Sequence, residues 1–228
     1  MFNTNHLIKG LLFDFDGLIL DTEGPIYQSW HEMFESFGGD LPLSLWGTII
    51  GTNEMTFDPW EMLEEQHGKE IDREAAASKR LQREEELIQQ QPVMPGITSY
   101  LNEGRRMGLK IGVVSSSSRR WVAGHLERLG LLEYFNCLAT SDDVKITKPN
   151  PELYLLALNS LGLDTSQAVA FEDSTNGITA AKAAGIYVVA VPNDLTRHLP
   201  LDHADKRLNS LADIDLMDLL LEINKTRR

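Results

Sequence analysis

Residues 11–23 read Leu11-Leu12-Phe13-Asp14-Phe15-Asp16-Gly17-Leu18-Ile19-Leu20-Asp21-Thr22-Glu23. The apolar run Leu11 to Phe13 carries no charge and stops abruptly at Asp14-Phe15-Asp16-Gly17. A short apolar run bounded by a turn signal predicts a buried strand, of the kind found in parallel sheets. Residues two apart in a strand point the same way, so Asp14 and Asp16 are expected near each other at its C-terminal end. Gly17 lets the backbone turn sharply there. In an open α/β sheet that end of a strand is where ligands bind. Two carboxylates so placed are costly unless a cation or a shared proton compensates them. The stretch therefore suggests a metal-assisted phosphoryl-transfer site, against the simpler reading of a solvated turn after an edge strand.

Outward from this stretch, the chain has 228 residues, enough for one large α/β domain or a core with a smaller insertion. A hydrophobic fraction of 42% is ordinary for a protein that buries a proper core. The formal net charge is −13, which argues against nucleic acid and anionic membrane as partners. It also means that a phosphate-handling site has to build positive charge locally. Cys137 is the single cysteine, so no intrachain disulfide is expected and a reducing cytoplasm is the default. The first residues, MFNTNHLIKG, lack the basic leader and long apolar stretch of a signal peptide. No run approaches the roughly 18 apolar residues of a membrane span.

After the first strand the pattern turns helical. Gly24-Pro25 starts a helix with apolar residues Ile26, Tyr27, Trp30, Met33, Phe34 and Phe37, stopped at Gly38-Gly39. A short helix is expected from about Pro42 to Ile50, and another from Asp58-Pro59 to His67. Asp72 then caps a long polar helix that ends before Pro92. From Pro95 the chain alternates helix and strand. Strands are expected at Lys110–Val114, Cys137–Thr140, Ala168–Phe171 and Tyr187–Val191, with a closing helix at Leu211–Ile223. Right-handed crossovers make this an α/β fold with a doubly wound parallel-sheet, Rossmann-like core. The expected division is 1–21 and 92–228 as catalytic core, with 22–91 as a small all-helical cap inserted after the first strand.

Polar residues gather where the strands end. The expected strands terminate in Asp14-Phe15-Asp16, in Ser115 and in Glu172-Asp173. In a parallel sheet these edges share one rim. Lys148 lies in Thr147-Lys148-Pro149-Asn150-Pro151, a loop stiffened by its two prolines.

Four stretches in this order, LLFDFDGLILDTE, KIGVVSSSS, ITKPNPELY and FEDSTNGITAAKAAG, resemble the haloacid dehalogenase-like superfamily. The likeness is to its β-phosphoglucomutase-like branch of phosphatases and mutases, and covers nearly the whole chain. It implies that Asp14 is a nucleophile forming an aspartyl-phosphate and that Asp16 is the proton carrier. It implies Mg²⁺ held by Asp14, the Asp16 carbonyl and Asp173, with Glu172 either a direct ligand or acting through water. Lys148 adds fixed positive charge, and Ser115, Ser116, Gly17 and Lys148 are expected to hold the phosphate. Relatives that dehalogenate lack the second aspartate, so its presence argues for phosphate chemistry.

The expected activity is hydrolysis of a small phosphorylated metabolite, a sugar or polyol monophosphate. The alternatives are a β-phosphoglucomutase-type phosphomutase or a non-catalytic phosphate-binding protein. No Lys or Arg occurs between Thr22 and Gly68. Ile26 and Ile50-Gly51-Thr52-Asn53-Glu54 stand where the mutase carries basic and imidazole groups, which favours a monophosphate over a bisphosphate. Lys79 and Arg80 are read as solvated helix charges, with one substrate-directed cation as the other possibility. Arg119 is left open as a group facing the phosphate. Asp142 and Asp143 are read as a solvated turn or a link to Lys148. The histidines show no ligand spacing. No nucleic acid or membrane partner is expected; a monomer is expected and a dimer left open.

Overall fold

The computed structural model describes residues 8–46 and 57–226. The chain divides into two units, one built from the chain up to Leu20 and from Val93 onward, the other from Asp21–Pro92. The first unit opens with β1 (Gly10–Phe13), every residue of which is buried. Burial on both faces is why this strand reads as an unbroken apolar run.

The Asp21–Pro92 unit holds α1 (Glu23–Ser36), α2 (Leu43–Trp46), α3 (Pro59–His67) and α4 (Arg73–Gln90). Its caps follow the sequence signals. The Asp58 side chain accepts from the Trp60 amide, Pro59 takes the first helical position, and Gly68 ends α3 with φ 74°. Asp72 accepts from Ala75 N and starts α4. Helices α1 and α4 pack together, with Arg83 on Glu32 at 2.7 and 3.1 Å. Trp30 meets Trp60 edge-on at 5.0 Å and lies 6.3 Å from Trp46. These rings form the apolar centre of the unit. Residues 47–50, the second half of the helix expected from Pro42, and the Ile50 to Glu54 stretch lie outside the described residues.

The chain returns through α5 (Ile97–Arg106), β2 (Lys110–Val114), α6 (Arg119–Arg128), β3 (Cys137–Ala139), α7 (Glu152–Leu161), β4 (Ala168–Glu172), α8 (Thr175–Ala183), β5 (Tyr187–Ala190), β6 (Lys206–Arg207) and α9 (Leu216–Thr226). The six strands form one sheet in the order β3-β2-β1-β4-β5-β6, parallel throughout. The order reverses beside β1, which makes the gap between the C-terminal ends of β1 and its neighbours the switch point of a doubly wound sheet. Phe13 is in register with Val113 on one side and Phe171 on the other. Three strands therefore end level, and their next residues share a rim. Phe13 and Phe171 stack at 4.8 Å, with Tyr100 edge-on to Phe171.

Two elements differ from the sequence expectation. The closing helix is broken: Ser210 and Asp213 cap a single 3₁₀ turn at Leu211–Asp213, and Ile214 is extended before α9. Tyr100, buried, donates to the Ile214 carbonyl at 2.9 Å and so satisfies the extended backbone. The edge strand β6 was not anticipated, because Lys206-Arg207 has no apolar pattern. Asp205 docks it, accepting from Val188 N at 2.8 Å and from Lys182 Nζ at 2.6 Å.

Candidate active site

Directly beyond β1, the Asp14 amide donates to the Phe171 carbonyl at 3.0 Å, so the loop leaves the sheet still tied to β4. The Asp14 side chain is buried and its Oδ1 accepts from Lys148 Nζ at 2.6 Å. The same ammonium donates to Glu172 Oε1 at 2.7 Å. Glu172, the last residue of β4, is fully buried, and its Oε1 also accepts from the Tyr154 hydroxyl. Tyr154 lies on α7, which Pro151 starts just after the Lys148 loop. Burial and the neighbouring Glu172 carboxylate hold the Tyr154 phenol well above its ordinary pKa, which keeps it a donor. A chain of contacts thus runs from Tyr154 through Glu172 and Lys148 to Asp14.

The charges in this cluster do not balance. Asp14, Glu172 and Asp173 are all buried and each offers a carboxylate oxygen within 4.8 Å of the others. Lys148 is the cation paired with Asp14 and Glu172. Burial works against its charge, but Asp14 and Glu172 overcome this and hold the ammonium above the usual lysine range. For Asp14 the outcome is reversed. Burial and the Glu172 charge outweigh the attraction of Lys148 and push its pKa up from 3.8 to about 8. Glu172 Oε2 is buried with no hydrogen-bond partner among the described residues. Three hard oxygen donors, a surplus of negative charge and an orphaned carboxylate oxygen fit a divalent cation of the Mg²⁺ or Ca²⁺ kind. Among the described residues this is the group of acidic, histidine or cysteine side chains that meets the geometry for a metal.

Asp173 is oriented by Asn193, whose Nδ2 donates to Asp173 Oδ2 at 3.0 Å and to the Gly17 carbonyl at 3.2 Å. The amide cannot be reversed, because its Oδ1 already accepts from Leu195 N and Thr196 N, both at 2.9 Å. Gly17 has φ 79°, and a Cβ there would sit 2.3 Å from Asp173 Oδ2 and 2.7 Å from Asn193 Nδ2. Its own amide is spent on the Leu20 carbonyl at 2.8 Å. The position therefore demands glycine for backbone conformation and for the close approach of Asp173. Gly17→Ala is expected to cost about 1–3 kcal/mol from the backbone alone, with more from the clash. Urea unfolding of the two proteins measures it, and equal midpoints would contradict it.

Asp16 turns to a different set of partners. Its Oδ2 accepts from Ser117 Oγ at 2.7 Å and Ser115 Oγ at 3.2 Å, and its Oδ1 accepts from Trp121 Nε1 at 2.9 Å. Ser115 is fully buried at the end of β2 and also accepts from the Ser117 amide at 2.9 Å. Ser116 is exposed on the same loop. The structure thus brings Asp14, Asp16, Gly17, Ser115, Lys148, Glu172 and Asp173 to one rim, as the sequence suggested.

Four participants were not singled out in the sequence. Asn193 follows β5 and obeys the same strand-end rule that found the others, so a signal existed. Ser117 lies in the serine run after β2, of which the resemblance marks only Ser115 and Ser116. Tyr154 and Trp121 face inward from helices, and nothing in their local pattern marks them.

Arg119 does not enter the rim. Its guanidinium pairs with Asp143 at 2.8 and 3.0 Å and donates to the Leu138 carbonyl, while its amide donates to Asp142. Asp143 also accepts from Thr140, so the Asp142-Asp143 turn is a capped and paired corner. A concavity of about 560 Å³ in the helical unit includes Met33, Phe37, Ile71, Lys79 and Arg80. Arg80 is bound there to Ser29 and Glu84 and lies 4.7 Å over the Trp30 ring, and Arg83 is paired with Glu32, so these cations are locally neutralised.

Comparison with known proteins agrees with this geometry. The family model described as haloacid dehalogenase-like hydrolase matches residues 11–191. The chain is 48% identical over 218 residues to YhcW of Bacillus subtilis, provisionally named a phosphatase, covering 96% of this chain and 99% of that one. It is 32% identical over 181 residues to the phosphorylated carbohydrates phosphatase of Thermotoga maritima, covering 78% and 82%. A solved Thermotoga maritima structure provisionally named a β-phosphoglucomutase superposes with a TM-score of 0.75 at 26% identity, over 96% of this chain and 99% of that one.

Proposed function

The chain belongs to the haloacid dehalogenase-like hydrolase family and is a phosphoric monoester hydrolase, and from that premise we propose that it is a Mg²⁺-dependent phosphatase of sugar or polyol monophosphates working through an aspartyl-phosphate. The observation that carries this reading is the buried Lys148 bridge between Asp14 and Glu172, beside Asp173. It gives one carboxylate a lysine on Oδ1 and leaves Oδ2 as the attacking oxygen. Asp14, Asp173 and the backbone carbonyl of Asp16 would hold the Mg²⁺, with Glu172 a further ligand, either direct or through water. When bound, the ion supplies the charge that lets a carboxylate approach a phosphate dianion.

The residues then divide the work. Asp14 Oδ2 forms a bond to phosphorus as the ester oxygen leaves, and Asp16 delivers a proton to that oxygen. Water next attacks the aspartyl-phosphate, Asp16 takes its proton, and inorganic phosphate departs with Asp14 regenerated. Lys148 faces the transferring group with fixed positive charge. Tyr154 and Glu172 keep the lysine in place, and Asn193 keeps Asp173 in place. Ser115 and Ser116 are assigned to the phosphoryl oxygens, and Gly17 to the close turn between Asp14 and Asp173. Residues 22–91 are assigned the cap role and the choice of leaving group. The absence of Lys and Arg from Thr22 to Gly68 favours a substrate with a single phosphate.

The test is phosphate release from p-nitrophenyl phosphate, hexose and hexitol monophosphates, with Mg²⁺ and with EDTA. Turnover on the panel that EDTA abolishes and Mg²⁺ restores is expected. No release from any member would overturn the reading. Isomerisation of β-glucose 1-phosphate without release would replace it by a phosphomutase.

A further inference from the structure

Trp121 is partly buried on the first turn of α6, and its indole N–H donates to Asp16 Oδ1 at 2.9 Å. The other oxygen of that carboxylate faces the hydroxyls of Ser117 and Ser115. The two oxygens therefore see chemically different partners. An indole N–H only donates, whereas a hydroxyl donates or accepts. As long as the indole contact is kept, Oδ1 has to present a lone pair to it. Oδ2 is the oxygen whose partners can follow a change in its hydrogen bonding.

The indole is itself held in place. It meets His125 edge-on at 4.4 Å, and His125 lies 6.3 Å from the ring of Phe15 at a shallow angle. His125 and Phe15 are both buried. Phe15 is the residue between Asp14 and Asp16. Helix α6 and the loop after β1 are thus joined twice, once through the ring stack and once through the hydrogen bond. A side chain clamped on one face and bonded at its tip has one orientation available, and what it bonds is oriented with it.

We propose that Trp121 is a positioning residue for phosphoryl transfer, which fixes the plane of the Asp16 carboxyl group and commits Oδ1 to the indole, so that Oδ2 is the working oxygen. This rests on the phosphatase reading and on the assignment of Asp16 to proton transfer. Trp121→Phe keeps a ring against His125 and removes only the donor. It is expected to lower kcat roughly 10–100-fold, the range of one hydrogen bond to a charged group. KM and the thermal midpoint are expected to stay at wild-type values.

A second measurement does not depend on turnover. The chain has four tryptophans, hence four indole N–H resonances in a ¹H–¹⁵N spectrum of the full-length protein. Trp121→Phe identifies the Trp121 signal by its loss. In Asp16→Ala that signal is expected to move most of the four and to exchange faster with solvent. An unmoved Trp121 signal, a wild-type kcat in Trp121→Phe, or a loss of kcat that tracks a lowered thermal midpoint would each overturn the proposal. A wild-type chain inactive on the whole phosphate panel would strike the phosphatase reading instead, and the indole shift would still decide whether Trp121 holds Asp16.

Discussion

Asp14→Asn is expected to abolish turnover, with a loss on the order of 10⁴–10⁶-fold, the scale seen when a covalent nucleophile is removed. The fold is expected to survive. Asparagine matches aspartate in shape and brings no negative charge into the buried cluster at any pH. The same substitution has a consequence for stability that is independent of catalysis. In the metal-free protein Asp14 keeps its proton up to about 8, because burial and Glu172 oppose its charge, while in the unfolded chain it loses the proton near 3.8. Between those values the folded state binds more protons than the unfolded state. Stability from this group is therefore greatest below the lower value and falls as pH rises through the window. Asp14→Asn is expected to remove that decline, and Mg²⁺, by favouring the ionised carboxylate, is expected to flatten it in the wild type. Urea midpoints from pH 4 to 8 measure all three. A wild-type slope identical to that of Asp14→Asn would contradict the charge argument, whatever the activity.

Lys148→Met is the second large effect and the more damaging to the fold. It leaves Asp14 and Glu172 buried without their paired cation, beside the buried Asp173. Breaking a buried pair from one side costs about 3–5 kcal/mol. Methionine fills much of the lysine volume, so little of this loss comes from a cavity. Asp14, no longer attracted by the Lys148 charge, holds its proton more tightly in the folded state, which makes the deficit larger as pH rises above the ordinary carboxylate range. Mg²⁺ is expected to recover part of the stability, since it supplies the missing charge at the same cluster. Activity is expected to fall about 10²–10³-fold, the usual range for losing one fixed electrostatic partner of the transition state. Equal unfolding midpoints for Lys148→Met and wild type without metal would show that the lysine is not needed to balance these charges.

Both effects come from residues that the sequence marks. Asp14 stands at the end of an apolar run and before a glycine, a local pattern that predicts both the strand and the turn. The caps at Asp58 and Asp72 and the stop at Gly68 are local in the same way, and those helices lie where the sequence puts them. The rim itself was also legible, because parallel strands in level register bring Asp14, Ser115 and Glu172-Asp173 together whatever the loops do. Asn193 obeyed the same rule and was passed over. Where several polar groups compete for one partner, the sequence was silent. Arg119 follows the serine run, yet Asp143 and the Leu138 carbonyl draw it away. Lys206-Arg207 is held as a strand beside β5 with Asp205 docked on Val188, and the break before the last helix is capped by Ser210 and Asp213 with Tyr100 on the Ile214 carbonyl.

Sequence by itself determined the first five strands of the sheet, the strand-end carboxylates and the lysine loop, since short-range sterics and apolar patterning act over a few residues. Only the tertiary structure decided which donor each carboxylate oxygen receives: Tyr154 on Glu172, Asn193 on Asp173, Trp121 on Asp16. Those donors arrive from 18, 20 and 105 positions away along the chain. At such separations hydrogen-bond partners are chosen by packing geometry, which no local pattern encodes.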